Sequence, residues 1–275
     1  MVRGRWKKFL EISAMFSQNN FFAKQVFIDL KSKDDLVNLR TAAKAVASVL
    51  KMLSENIKPG ISTKDLDELA FKEIKAFGMK PAFLGYRGYP ATACISINDE
   101  LVHGIPSAKR LLTKGDIVSI DLGTIYNGFY GDAAITVPVD KISSQAQKLL
   151  EVGSLSLESG IENVKPGNRL GDVSAAIQAV IEKNGFSVVR DYVGHGIGRA
   201  LHEEPAIANF GKRNTGPRLL PGMVLAIEPM LNIGDWRVKT LKDGWTVVTQ
   251  DGSLCAHFEH TVAITEDGCE VLTVI

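Results

Sequence analysis

Three cysteines, Cys94, Cys255 and Cys269, are all that a chain of 275 residues contains, and no two stand at a CxxC spacing. That excludes a disulfide framework and a cysteine-bound zinc, and it suits a reducing compartment such as the cytoplasm. Long apolar runs are missing too. None approaches the roughly 18 residues of a membrane-spanning helix, so no membrane partner is expected. Net charge is nearly absent, at +1, which gives no reason to expect a nucleic-acid or anionic-lipid surface. Nor is there any G-x-S-x-G segment, the commonest serine-hydrolase signature. What remains is 45% hydrophobic and 23% charged, ordinary for a globular domain.

Residues 1–28 stand apart from the rest. They carry Arg3, Arg5, Lys7, Lys8 and Lys24 against a single acid, Glu11. Glu11 interrupts the only apolar core a secretory signal could use. The segment reads as a basic surface extension, with an organelle transit peptide as the alternative.

The remainder repeats itself. Lys58-Pro59-Gly60 recurs as Lys165-Pro166-Gly167, an offset of 107. The same offset carries Asp65 to Asp172, Ile74 to Ile181, Gly78 to Gly185, Gly115 to Gly222 and Asp121 to Glu228. A period this long is no solenoid; it predicts two similar halves facing one another across a shared site. Ser32 with Asp35 and Ser62 with Asp65 are capping-box patterns that open helices, the second stopped at Gly78. Val173, Ala176, Ile177, Val180 and Ile181 share one face of a helix in the second half. Segments 117–122, 132–137, 224–228 and 257–264 read as strands. Helices followed by strands, twice, predict an α+β fold with an antiparallel or mixed sheet.

Five polar residues fall within these apolar or glycine-rich segments: Asp121, Asp132, His195, Glu228 and Glu259. A carboxylate buried there must be paired or bound to a cation. Four carboxylates and one imidazole form a hard, oxygen-rich donor set suited to a two-metal hydrolytic site. A hairpin would bring Asp121 and Asp132 to one face, although singly each reads as a strand-end or turn residue. Glu228 closes Val224-Leu225-Ala226-Ile227, and its only structural role would need a buried Arg or Lys. Alternation puts Glu259 on the face of His257 and Thr261, with His260 opposite. Glycines around His195 allow close backbone approach. A dinucleotide loop there is disfavoured, since no clear helix follows. His202-Glu203 begins like a zincin motif, but Pro205 breaks the helix that motif needs. His103 and His202, next to turns, are candidate donors to a substrate carbonyl.

Taken together these residues resemble the type I methionine aminopeptidases. The resemblance is carried by Leu101-Val102-His103-Gly104-Ile105-Pro106, Ile120-Asp121-Leu122-Gly123, Gly131-Asp132, Gly194-His195-Gly196-Ile197-Gly198, Leu201-His202-Glu203-Glu204-Pro205, Ala226-Ile227-Glu228-Pro229 and Phe258-Glu259-His260-Thr261. It covers residues 29–275, the expected catalytic domain, and implies a pita-bread fold around two divalent ions (Co, Mn, Fe or Zn). By motif, Asp121 would be a terminal ligand of one ion, Asp132 and Glu259 would bridge both, and His195 and Glu228 would complete the other. His103 and His202 would contact substrate. Tyr86, Tyr89, Cys94 and Trp245 would line a methionine pocket, and Glu228 would also carry a proton. The implied reaction is attack by metal-activated water on the first peptide bond of nascent polypeptides, with a small second residue preferred. A monomer with transient ribosome contact is implied as well.

The departures from the family pattern are Phe83, where a smaller cysteine is frequent, Leu201, where an aromatic is common, and His257, where glutamine is usual. None of the three is expected to touch a ligand. X-Pro aminopeptidases and prolidases share the fold and ligands but usually carry a sizeable N-terminal domain. The type II group needs a helical insertion between His202 and Glu228, for which there is no room. A non-catalytic peptide-binding module would be expected to lose ligands.

Overall fold

The computed structural model describes residues 28–274. The basic extension, with its surface or targeting readings, therefore lies outside the described residues apart from Ile28. Among the described residues no helix is long and apolar enough to cross a membrane.

Both capping boxes form as the sequence predicts. Ser32 Oγ accepts from the Asp35 N–H at the start of the Lys33–Asn56 helix, and Ser62 does the same with Asp65 at Thr63–Ala76. Each satisfies an amide that the first helical turn leaves unpaired. The second half repeats the plan with helices Ser144–Glu162 and Leu170–Lys183. The offset of 107 is structural. It maps Thr63–Ala76 onto Leu170–Lys183 end to end. It also maps the isolated bridge Ser62↔Leu111 onto Arg169↔Arg218. Gly60 and Gly167 share φ near 90° (89 and 90), and Gly115 and Gly222 follow suit at 96 and 90. These turns need a residue free of the Cβ clash at positive φ.

Each half contributes an antiparallel sheet. In the first, Ile117–Tyr126 pairs along one edge with Phe129–Pro138, and along the other with Ala93–Ile97 and then Lys80–Pro81. The second is ordered Cys269–Val271, His260–Ile264, Val224–Ile227, Gly194–Gly196, Glu203–Ile207. Two small three-stranded sheets flank them. The predicted strand 257–264 is in fact two, Cys255–His257 and His260–Ile264, broken at Phe258-Glu259. Glu259 leaves its own sheet there to donate its N–H to Ala134 O of the other half (2.8 Å). Val224–Ile227 likewise stops one residue short of prediction, because Pro229 cannot extend a ladder.

One apolar core sits mainly in each half, around Val46, Leu66 and Ile120 and around Leu149, Ile177 and Leu225. A third joins Leu39, Phe83 and Cys94 to Leu201, Val224 and Ala263 across the two. That shared core supports the floor of the site.

Candidate metal centre

The ladder sets the two aspartates. Asp121 faces Ala134 and Asp132 faces Gly123, so both carboxylates lie on one side of the hairpin, a residue pair apart. Gly131 lets the Lys33–Asn56 helix press on the strand next to Asp132: a Cβ there would meet Ala43 N at 2.7 Å. From the second half, His195 lies on the Gly194–Gly196 strand opposite Ala226. A Cβ on Gly194 or Gly196 would run into the carbonyl of Ala226 or Glu204, so the flanking glycines are required by close approach. His195 Nδ1 lies 2.9 Å from Gly196 O. A carbonyl only accepts, so Nδ1 carries the proton and Nε2 offers its lone pair inward.

Nε2 of His195 is 3.5 Å from Glu228 Oε1 and 3.9 Å from Asp132 Oδ2. Ligand atoms of Asp132, His195 and Glu259 all fall within 4.8 Å of one another. Asp132, His195, Glu228 and Glu259 are buried at 4%, 7%, 9% and 2% exposure. Oδ1 of Asp121, Oδ1 of Asp132 and Oε1 of Glu259 are buried without any hydrogen-bond partner. Burial lifts Asp121 and Glu228 to about 7. Asp132 and Glu259 are pushed well above the usual carboxylate range by burial and by the neighbouring carboxylates. Acids crowded together, unpaired, in a dry interior form an arrangement that cations relieve. The donor set, carboxylate-rich with one imidazole, fits divalent ions of the Mn, Fe, Co and Zn kind.

The structural role weighed for Glu228 fails on its partners: the ion-pair neighbours described for it are His195 and His257, and neither is Arg or Lys. His202 packs its ring 4.3 Å from that of His195, stacks on Tyr86, and has its Nδ1 2.8 Å from the Tyr86 hydroxyl. Although its edge is open to the site mouth, surrounding protein and the charge of His195 hold it down to about 3. His103 has φ 62, sits edge-on to Tyr192 and Trp245, and is held to about 4 by burial and then by His257. Tyr89 meets Trp245 edge-on at 5.1 Å and donates its hydroxyl to Ala93 O and Gly104 O. Cys94 pairs with Asp121 across the ladder. Phe83, Tyr86, Tyr89, Cys94, Leu201 and Trp245 belong to one apolar cluster beside the acids. His260 turns away and pairs with Thr273 Oγ1 at 2.8 Å.

One expectation is corrected. His257 was expected to touch no ligand candidate, yet its Nε2 lies 3.4 Å from Glu228 Oε2. It stands two residues before Glu259, and the alternation read for that segment was the signal in the sequence. Tyr192, which supports His103, carried no such signal, because only the packing of Met230–Asn232 and its neighbours brings it there.

A twofold α+β fold with carboxylates from both halves converging on one imidazole defines a metal-dependent hydrolase of the pita-bread class. The chain belongs to metallopeptidase family M24, whose model matches residues 37–266. It is 55% identical over 243 residues to methionine aminopeptidase 1 of Bacillus subtilis, covering 88% of this chain and 98% of that one. The crystal structure of the Thermotoga maritima methionine aminopeptidase superposes with a TM-score of 0.90 at 48% identity, over 90% of this chain and all (100%) of that one. A prolidase from Pyrococcus furiosus shares the fold at TM-score 0.72 and 24% identity, with 65% of its length covered.

Proposed function

We propose that this chain removes the N-terminal methionine of nascent polypeptides in a metal-dependent hydrolysis, preferring a small second residue, and that residues 29–275 form the catalytic unit. The observation that carries this reading is the buried cluster of Asp132, His195 and Glu259, with Glu228 beside His195, Asp121 on the same face of the hairpin as Asp132, and an apolar cluster next to them. The identity to methionine aminopeptidases over most of both chains supports it.

Asp121, Asp132 and Glu259, with His195 and Glu228, would hold two divalent ions. When bound, such ions acidify a coordinated water and polarise a carbonyl oxygen. His103 and His202, held neutral at pH 7, would hydrogen-bond the substrate without adding charge, a ring N–H donating to the carbonyl oxygen and a ring lone pair accepting from the scissile amide N–H. In the tautomer where the Tyr86 hydroxyl donates to His202 Nδ1, the proton stays on Nε2 for the substrate. Glu228, set between His195 and His257, is the carboxylate that would pass a proton to the leaving amine. Phe83, Tyr89, Cys94, Leu201 and Trp245 offer an apolar wall for a linear thioether, and a charged side chain would lose its hydration there.

The test uses metal-depleted protein, with and without manganese or cobalt, on the peptides Met-Ala-Ser and Ala-Pro-Ala. Metal-dependent release from the first alone is the expected result. Release from the second alone would move the chain to X-Pro hydrolysis, and release from neither, with metal bound, would leave a binding module.

A further inference from the structure

His257 is 2% exposed, and neither of its ring nitrogens has a hydrogen-bond partner. Its backbone, by contrast, is firmly held. The His257 N–H donates to Thr136 Oγ1 at 3.0 Å, and that hydroxyl lies 2.7 Å from the His257 carbonyl it donates to. The ring is therefore placed deliberately by the junction of the two halves, and what it faces explains its burial. It faces Glu228: Nε2 is 3.4 Å from Oε2, while the other carboxylate oxygen, Oε1, is 3.5 Å from His195 Nε2.

Glu228 is thus bracketed by two imidazoles that play different parts. On the His195 side, Nδ1–H is committed to Gly196 O, so Nε2 can only present a lone pair. On the other side no carbonyl claims either nitrogen of His257. An ionised carboxylate, the form that binds a cation, only accepts, so the favourable form of His257 then carries its proton on Nε2. The separation exceeds an ordinary N–H···O distance of roughly 2.9–3.0 Å by an amount that a small side-chain rotation closes.

We propose that His257 is a positioning residue of the metal centre: its Nε2–H donates to Glu228 Oε2 and fixes that carboxylate with Oε1 turned toward His195 and the cation. The inference rests on the reading of Glu228 as a ligand. Donors that orient metal-ligating carboxylates govern how tightly the ion is held, so His257 sets metal affinity here without touching substrate.

Two measurements on the full chain test this. Manganese titration calorimetry on wild type, H257Q and H257L compares the imidazole with an amide that keeps an N–H donor and with an isostere that has none. H257L is expected to bind manganese roughly tenfold or more weakly, with a shifted visible spectrum of its cobalt-loaded form. H257Q is expected to restore both. Should H257L fail to fold, nitrogen NMR of labelled histidine in the zinc-loaded wild type decides the matter. It is expected to show His257 neutral with the proton on Nε2; a proton on Nδ1, or a direct nitrogen–zinc bond, overturns the proposal. Wild-type affinity and spectrum in H257L overturn it equally. Absence of metal binding by the wild type would instead remove the reading of Glu228 on which the proposal stands.

Discussion

At the scale of single residues, the acids of the site are better understood as a cost than as a source of stability. Asp121 and Glu228 are raised to about 7 by burial. A carboxyl that holds its proton more tightly in the folded state stabilises the fold below its unfolded pKa of about 4, and that contribution is lost as pH rises through the folded value. His103 and His202, depressed to about 4 and 3, act oppositely and cost stability as pH falls below about 6.5. Metal-free protein should therefore melt at lower temperature at pH 8 than at pH 6.5. Scans in chelator check this, and a melting temperature that rises across that window would refute it. Asp132→Asn removes one buried charge, so it should melt higher than wild type without metal at pH 8. With manganese it should lose more than about 100-fold of peptidase activity, beyond the 10–100-fold usual for residues behind the ligands. Tyr86→Phe deletes one hydrogen bond to His202, worth about 1 kcal/mol. A fivefold or so fall in kcat, with manganese affinity unchanged, is the expected kinetic result.

At the scale of elements, the Ser144–Glu162 helix packs next to the site at Gly153. Gly153 faces Phe258, whose Cδ2 would lie 2.6 Å from an added Cβ. Phe258 adjoins Glu259 at the break between two strands. Gly153→Ala should overpack this contact, cost about 1–3 kcal/mol, and weaken manganese binding by displacing Glu259. Ser62→Ala offers the control: losing a helix cap costs about 1 kcal/mol and should leave metal binding alone. Denaturant unfolding and calorimetry on both variants separate the two effects. An unchanged metal affinity in Gly153→Ala would show that Phe258 yields without moving its neighbour.

For the whole molecule, the ligand candidates come from both halves, Asp121 and Asp132 from one and His195, Glu228 and Glu259 from the other. A cation between them ties the halves together in the native state only, so it stabilises by mass action, about 2.7 kcal/mol at one hundred times its dissociation constant. Besides the Thr136–His257 contacts, the junction at this level carries Glu259 N–H to Ala134 O at 2.8 Å and Thr261 Oγ1 to Asp132 O at 2.7 Å. Both hydrogen bonds end on residues beside or within the ligand set, so the same contacts that join the halves also aim the carboxylates.

The sequence by itself determined the repeat, the capped helices and the five polar residues, because each is a local pattern. Gly60 and Gly167, or Ser62 and Asp65, need only their neighbours in the chain to adopt their conformation. A buried acid next to an aliphatic run is likewise visible without coordinates, since its burial has to be compensated. Only the tertiary structure decided which groups meet. His257 and Glu228 are distant in the chain and meet because Met230–Asn232 pairs with Cys255–His257. At the break at Phe258-Glu259 the backbone pairs with Ala134 of the other half. Such choices depend on contacts between the halves, and no local periodicity encodes them.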